Sequence, residues 1–239
     1  MKWLAFDTST PLLIVILGED DKCVAQEEVK KPFEHARDLI PAIQKCLQKK
    51  QWKLEDLEWV TAGAGPGSYT GLRIGLSALK ALLAIVSVKV TLFSSLGAIA
   101  WQLHDKEGIG WVLVDARRKM VYGQKVIIQG GNVDISSAPE LLTPEEAVAK
   151  IRSEKGQVYI AGDAVHRLES LYQQLQDTGE ILPEILAYPN AQGVFEAAKI
   201  AIQNGKTFSS QDIKPMYMRL SEAEETHARI NRNENKRHS

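Results

Sequence analysis

The two halves of this 239-residue chain open on the same local pattern. An apolar run ends in aspartate at Phe6-Asp7 and again at Val114-Asp115, and each aspartate precedes a short turn and a returning apolar run. Later in each half, an apolar run ends on glycine and leads into a helical pattern, at Ala64-Gly65 and Ala161-Gly162. Short connections favour antiparallel strand pairs, whereas connections through helices favour parallel ones. The pattern therefore predicts a duplicated α/β unit in two lobes.

The spacing of apolar residues and the turn formers predict the elements of each half. Strands are predicted at 3–6, 12–17, 22–29, 58–64, 88–93, 111–115, 121–128 and 157–161. Helices are predicted around 39–47, at 70–86, after Ser94, after Thr143, around 165–175 and at 191–203. Pro41 either kinks the first helix or lies in its first turn.

The polar, glycine-containing segment 105–110 is the predicted domain boundary. Residues 1–105 then form the N-terminal lobe and residues 106–222 the C-terminal lobe. The last residues, 223–239, are polar and poor in apolar side chains, which predicts a flexible tail.

Charge limits the classes of protein to which the chain can belong. Its 29 lysines and arginines nearly balance 30 aspartates and glutamates, for a net charge of -1. Proteins that bind nucleic acid on their own usually carry a basic excess, because phosphate contacts dominate the affinity. Stand-alone nucleic-acid binding is therefore disfavoured.

Cysteine content and apolar segments indicate the compartment. Cys23 and Cys46 are the two cysteines and lack C-x-x-C spacing, which excludes a disulfide scaffold and a thiolate zinc site. The N-terminal segment lacks the long apolar run of a signal peptide. The apolar stretch 78–90 contains Lys80 and Lys89 and is too short for a membrane span. We expect a soluble, cytoplasmic protein.

A glycine-rich segment at 61–75 follows a predicted strand and enters a predicted helix. Glycines allow backbone N–H groups to approach an anion at a helix N-terminus, but they also allow a tight strand-to-helix turn and close helix packing. No Gly-Lys-[Ser/Thr] follows, and Ser68 stands where a dinucleotide fingerprint needs its third glycine. Spacing leaves the anion site and the structural turn equally open.

The two strand-end aspartates allow a similar pair of interpretations. In nucleotide-handling folds, carboxylates at such turns hold a magnesium–phosphate unit, while the structural alternative is an ordinary Asx turn. Candidate contacts of a degenerate nucleotide or phosphate site are Asp7, Thr8, Ser9, Gly65, Gly67, Asp115, Arg117, Gly162 and Asp163. The histidines have no metal-site spacing, and no nucleophile elbow occurs.

Several segments together resemble the TsaB (YeaZ) family. They are Asp7-Thr8-Ser9, residues 35–41, residues 65–75, Asp115-Ala116-Arg117 with Val121-Tyr122, Gly162-Asp163, and residues 215–219, in this order between about residue 1 and residue 224. The glycine motif followed by Leu72-Arg73-Ile74-Gly75 is the most specific of them.

The resemblance implies the actin-like ATPase and sugar-kinase fold (ASKHA, ribonuclease H-like), with two duplicated lobes. It implies a pseudoenzyme, a non-catalytic partner of TsaD in the threonylcarbamoyl modification of adenosine 37 in tRNAs that read codons beginning with A. The ATPase TsaE is a further implied partner, and tRNA is bound only through the complex. The resemblance further implies that the chain forms a homodimer when alone and that it binds no cofactor tightly, with ATP or ADP as a candidate ligand at the complex interface.

In this family the first two helices of the first lobe meet TsaD. Apolar stripes on these helices fit either a core or an interface, and the periodicity does not separate the two. The resemblance makes the following residues candidates for the partner interface: His35, Leu39, Ile43, Leu47, Leu72, Arg73, Leu76, Leu79 and Leu83.

The resemblance also implies a missing metal site. TsaD carries two histidines at its third helix, and Ser95 and Ile99 stand at the matching positions of this chain. Serine is a poor transition-metal ligand and isoleucine offers none, so no metal is expected there. Two alternatives keep the same fold: an ATP-dependent phosphotransferase with Asp7 and Asp115 holding magnesium–ATP, and a metallopeptidase-like hydrolase.

Overall fold

A computed structural model describes residues 1–31 and 34–218. The strands are Lys2–Asp7 (β1), Leu13–Glu19 (β2), Lys22–Val29 (β3), Trp59–Gly63 (β4), Lys89–Phe93 (β5), Gly108–Asp115 (β6), Val121–Gln129 (β7), Asn132–Asp134 (β8), Glu140–Leu142 (β9), Val158–Ala161 (β10) and Glu180–Ile181 (β11). The α-helices are His35–Lys50 (α1), Tyr69–Ile85 (α2), Ser95–Ala100 (α3), Pro144–Arg152 (α4), Ala164–Arg167 (α5), Glu169–Leu175 (α6) and Ala191–Gln203 (α7).

The two sheets repeat one topology. In the first sheet the order is β3-β2-β1-β4-β5, with an antiparallel β1-β2-β3 meander and parallel β1-β4 and β4-β5 pairs. In the second sheet β8-β7-β6-β10-β11 repeats this order and these directions, and β9 also pairs with β7. The predicted α/β fold with a duplicated unit is confirmed. This strand order is that of the actin-like, ribonuclease H-like architecture.

Helices cover both faces of the first sheet. Because side chains alternate along a strand, Leu4 and Phe6 of β1 face the core beneath α1 and α2, whereas Trp3 and Ala5 face α7. The ring of Phe195 on α7 lies 5.2 Å from that of Trp3. The sequence prediction assigned all of residues 106–222 to the C-terminal lobe, and this assignment is corrected for α7, because its apolar face is buried on the first sheet.

Helix α3 connects the two lobes. Its Leu96 and Ile99 pack in the core of the second sheet, while Ala98 packs with α7 and the first sheet. The opposite face of the second sheet is covered by α4, α5 and α6. One short helix therefore contributes to both cores, so that the lobes are joined through packed side chains.

Local signals explain where most helices begin. Ser68, Ser94 and Asn190 accept hydrogen bonds from the backbone N–H groups of Gly71, Gly97 and Gly193 at 3.2, 3.2 and 2.8 Å. Thr143 forms the predicted capping box with Glu146.

Two predicted helices differ in detail. Pro41 lies in the interior of α1 rather than in its first turn. The single helix predicted around 165–175 is divided at Leu168, which has an extended backbone between α5 and α6. The predicted tail, 223–239, lies outside the described residues. Over residues 1–31 and 34–218, the helices are too short or too polar to span a bilayer.

Candidate functional site

Asp7 is completely buried at the end of β1. Its Oδ1 accepts hydrogen bonds from the N–H and the hydroxyl of Ser9 at 2.7 and 2.6 Å, and its Oδ2 accepts one from the Ser95 hydroxyl at 2.7 Å. Burial raises the pKa of the Asp7 carboxyl, and the hydrogen bonds from Ser9 and Ser95 partly oppose that shift. Both carboxyl oxygens thus already have donors within the protein.

The glycine motif closes over the turn that follows Asp7. A Cβ atom on Gly71 would lie 1.9 Å from the carbonyl oxygen of Thr8, and one on Gly67 would lie 2.6 Å from that of Ser9. The Ser68 N–H donates to the Ser9 carbonyl at 2.7 Å, and the Thr8 hydroxyl donates to the Gly71 carbonyl at 2.7 Å. The motif therefore makes the close backbone contacts that a structural strand-to-helix turn requires.

Ser95 and Ile99 lie at the metal positions implied by the resemblance. The Ser95 hydroxyl donates to Asp7 and accepts from the Gly65 N–H at 3.3 Å, and the Ser95 N–H donates to the Gly65 carbonyl at 3.0 Å. Ile99 is buried in the core of the second lobe. Among the residues that the structure describes, no group of three or more His, Cys, Asp or Glu side chains is placed so that it could hold a metal ion.

The contacts of Ser95 lead to a stability prediction. We expect Ser95→Ala to lower the free energy of unfolding by about 2 to 3 kcal/mol, since it removes a donor to a buried carboxylate and an acceptor for Gly65. The pKa of the Asp7 carboxyl is higher in the folded state than in the unfolded state. The contribution of Asp7 to the stability of the fold is therefore greatest at acid pH and decreases as pH rises through the folded-state pKa.

Loss of the Ser95 donor raises the pKa of Asp7 further. The decrease in the free energy of unfolding that Ser95→Ala causes should therefore be larger at pH 8 than at pH 4. Urea unfolding at both pH values measures this decrease in the free energy of unfolding. Ser170→Ala on the exposed surface of α6 is the control. Equal unfolding midpoints for Ser95→Ala and the native chain at both pH values would contradict this account.

The second lobe has an equivalent but more open cluster, formed by Asp115, Arg117, Asp163, Arg167 and Tyr188. Asp163 accepts hydrogen bonds from the Asp115 N–H at 2.9 Å and from the Tyr188 hydroxyl at 3.3 Å. It also forms an ion pair with Arg167, whose Nε lies 2.9 Å from the carboxylate. Asp115 pairs with Arg117 at 3.2 Å. Burial raises the pKa of the Asp163 carboxyl, while the Asp115 N–H and Arg167 lower it.

The structure therefore divides the candidate nucleotide contacts into two groups. Asp7, Thr8, Ser9, Gly65 and Gly67 meet in the first lobe, where the first three are buried. The other four meet in the second lobe, and Gly162 matches Gly65, since both follow the fourth strand of their sheet with a positive φ, 105° and 101°.

Sequence reasoning missed two members of the second-lobe cluster. Arg167 lies four residues after Asp163, and this helical ion-pair spacing could have identified it. Tyr188 reaches Asp163 from a distant loop, for which the sequence carries no local signal.

The predicted partner residues lie on α1 and α2, mostly on the face that packs against the first sheet. The core of the first lobe buries six of them: Leu39, Ile43, Leu47, Leu72, Leu76 and Leu79. His35 is also buried, and its Nε2 lies 2.8 Å from the Thr10 carbonyl oxygen. Leu83 is half-buried against the same core. These side chains hold the helices on the sheet, which agrees with the core interpretation that the periodicity had left open.

Arg73 is exposed at the start of α2. Its Nε donates to the Tyr217 hydroxyl at 2.9 Å, its guanidinium also bonds the Tyr69 hydroxyl, and the two tyrosine rings stack at 4.5 Å. Arg73 therefore anchors the segment after α7 to the first lobe.

The solvent side of the two helices carries a different apolar set, which we call the outer face. On α1 it consists of Ile40 and Pro41, and on α2 of Ile74, Ala78, Ala81 and Ile85, at spacings of four, three and four. Ile74 and Ala78 are half-buried at the edge of the first-lobe core, and the other four residues are exposed. Ile85 is 68% exposed and Ile40 44% exposed. Between Ile74 and Ile85, Lys80 is the one charged residue. Uncharged apolar residues at helical spacing, with the small side chains of Ala78 and Ala81 in the middle, allow another helix to pack against α2.

Comparison with known proteins gives the family. A family model described as TsaD, tRNA N6-adenosine threonylcarbamoyltransferase, matches residues 29–227. The chain is 29% identical to the tRNA threonylcarbamoyladenosine biosynthesis protein TsaB of Escherichia coli (92% of this chain, 95% of that protein) and 26% identical to that of Haemophilus influenzae (90% and 92%).

Its fold is similar to the solved YeaZ structure from Pseudomonas aeruginosa, with a TM-score of 0.75 at 21% identity over 91% of this chain and 99% of that one. The chain therefore belongs to the TsaD family and, within it, to the TsaB (YeaZ) proteins of tRNA threonylcarbamoyladenosine biosynthesis.

Proposed function

We propose that this chain is a non-catalytic subunit that docks onto TsaD and activates it for threonylcarbamoyl transfer to tRNA. The observation that carries the proposal is the outer face, an apolar set on two helices of a TsaB protein in which Ile40, Pro41, Ala81 and Ile85 are exposed. Monomeric proteins seldom leave such a stripe in water, and it suits helix-to-helix packing. The same stripe suits self-association, so the homodimer and the heterodimer would compete for it.

The contacts of Ser95 support the non-catalytic part of the proposal. At a position where TsaD has a metal-ligating histidine, this chain places a hydroxyl bonded to buried Asp7. The carboxylate that an ATP-dependent phosphotransferase would need for magnesium is enclosed by Ser9 and Ser95. These contacts favour the docking subunit over both the phosphotransferase and the metallopeptidase-like alternatives.

TsaE and tRNA enter the proposal as further members of the complex. A net charge of -1 gives the isolated chain little general attraction for a polyanion, so tRNA binding is assigned to the assembled complex. ATP or ADP at the complex interface remains part of the proposal, with the second-lobe cluster as its more open candidate site.

Sedimentation velocity on a mixture with the cognate TsaD tests the docking step. At micromolar concentrations of both proteins we expect one faster-sedimenting heterodimer, and the homodimer of this chain should decrease as TsaD is added. Two species that sediment independently at all mixing ratios would contradict the proposal.

A further inference from the structure

A cavity of about 280 Å³ lies beside β5, the edge strand of the first sheet. Helix α7 contributes Ala197, Ile200 and Ala201 to its walls, and the segment after α7 contributes Phe208. Ile135, which directly follows β8 of the second sheet, also lines it. The cavity therefore takes its apolar walls from both lobes, and ligand sites are frequent at such junctions.

The edge of β5 turns backbone polar groups towards this cavity. The Phe93 carbonyl accepts from the Ala64 N–H at 2.9 Å, so the odd-numbered residues of β5 bond towards β4. The even-numbered residues face the outer edge, where the Val90 carbonyl accepts from the Phe208 N–H at 2.9 Å. Leu92 is the next even-numbered residue and lines the cavity. Its N–H is therefore a candidate donor to an acceptor in the cavity.

Two threonines lie side by side on the sheet face that α7 covers. Thr91 of β5 lines the cavity and pairs in register with Thr61 of β4. Thr61 is completely buried, and within the described part of the chain its Oγ1 has no hydrogen-bond partner. Nearly all buried polar groups in proteins are hydrogen-bonded, so this hydroxyl next to Thr91 shows that the protein leaves polar capacity unused here. The floor of the cavity thus combines hydroxyls with its apolar walls.

Lys206 provides a cation at the rim. It is exposed and lines the cavity, and its Nζ lies 5.0 Å from the centre of the Phe208 ring. Over residues 1–31 and 34–218, no carboxylate forms an ion pair with Lys206. Glu196, the one acidic residue of α7, already pairs with Lys199. The rim therefore attracts an anion that the protein itself does not supply.

We propose that this cavity binds a small monocarboxylate with an aliphatic tail. The carboxylate lies at the rim, where it accepts from the Lys206 ammonium and the Leu92 N–H, and the tail packs along Ala201. One lysine and largely apolar walls suit a monoanion with an apolar body better than they suit a phosphate. An added peptide strand is disfavoured, because Phe208 already bonds the Val90 carbonyl on the same edge.

Amide NMR spectra of the isotope-labelled full chain, titrated with sodium octanoate, test the proposal. We expect saturable shifts of the amide signals of β5 and α7 that line the cavity, with a Kd of about 1 mM for a ligand of this size. Octylammonium carries the same tail with the opposite charge, and inorganic phosphate carries charge without a tail. Each should bind at least about 10-fold more weakly than octanoate.

Variants at the rim and the wall separate charge from volume. Lys206→Gln should weaken the Kd for octanoate about 5-fold, and Lys206→Arg should retain the native value. Lys214→Gln is the matched control, since Lys214 is exposed on the same segment but outside the cavity. Ala201→Leu fills the cavity and should abolish the octanoate-dependent shifts. The melting temperature of each variant verifies that it is folded.

The result that overturns the proposal is specific. It is overturned if octanoate at about ten times the expected Kd causes no saturable shifts at the cavity, or if Lys206→Gln and the native chain bind octanoate equally. Equal binding of octylammonium or phosphate also overturns it, because the site would then not select a monocarboxylate. The cavity residues do not belong to the outer face, so Lys206→Gln should sediment with TsaD as the native chain does. Failure of this inference therefore leaves the docking proposal intact.

Discussion

Ala81→Arg is expected to weaken the Kd for TsaD at least 100-fold, about 2.7 kcal/mol at 25 °C, without unfolding the chain. Ala81 is exposed in the middle of the outer face. Packed helices lie about 8 to 10 Å apart, so an arginine at the contact separates the axes and buries an unpaired guanidinium. Arginine is a good helix former, and the melting temperature should therefore stay close to that of the native chain.

Isothermal titration calorimetry measures the change, with Ser170→Arg as the matched control. Ser170 is exposed on α6 in the second lobe, so the control adds the same side chain to a helix outside the outer face. We expect Ser170→Arg to bind as the native chain does. Native affinity for Ala81→Arg, or an equal loss for both variants, would place the contact elsewhere on the molecule.

Gly71→Ala is expected to destabilise the chain by about 3 kcal/mol or more. In an unconstrained helix this substitution stabilises by about 1 kcal/mol, since alanine has the higher helix propensity. Here the added Cβ would lie 1.9 Å from the Thr8 carbonyl oxygen, so α2 must move away from the turn after β1. That movement stretches the hydrogen bond from the Thr8 hydroxyl to the Gly71 carbonyl.

Thermal unfolding should place the melting temperature of Gly71→Ala about 6 to 12 °C below that of the native chain. Ser77→Ala, at an exposed site on the same helix, should change it by no more than a degree or two. A melting temperature for Gly71→Ala equal to that of Ser77→Ala would show that the glycine motif is not held against the turn.

The duplicated topology could be predicted because its signals are local. The strand-end residues Asp7 and Asp115 and the turn glycines Gly65 and Gly162 occupy equivalent places in the two sheets. Short turns imposed the antiparallel pairs, and the helices between strands imposed the parallel ones. The caps at Ser68, Ser94, Thr143 and Asn190 also depend only on neighbouring residues.

The state of Asp7 could not be predicted, because it depends on residues far along the chain. Gly67 and Gly71 enclose its turn from about sixty residues away, and Ser95 donates to it from 88 residues away. A local sequence pattern allows the Asx turn and the phosphate site equally. Only tertiary packing distinguishes an enclosed carboxylate from one that is open to a ligand.

The sequence could not show which apolar residues of α1 and α2 pack in the core and which face solvent. On α2, Leu72, Leu76 and Leu79 form the leucine stripe that periodicity detects, and the structure buries it. The outer face of Ile74, Ala78, Ala81 and Ile85 is smaller and less apolar, so it gives a weaker signal.

Threonylcarbamoyl transfer to tRNA, measured with purified components, tests the central claim most directly. Supplied with threonylcarbamoyl-adenylate and tRNA but no TsaD, the isolated chain should leave adenosine unmodified. Adding TsaD and TsaE should produce the modified nucleoside, and Ala81→Arg in place of the native chain should abolish that product. Modification of tRNA by the isolated chain at the rate of the complete mixture would contradict the claim that it acts as a docking subunit.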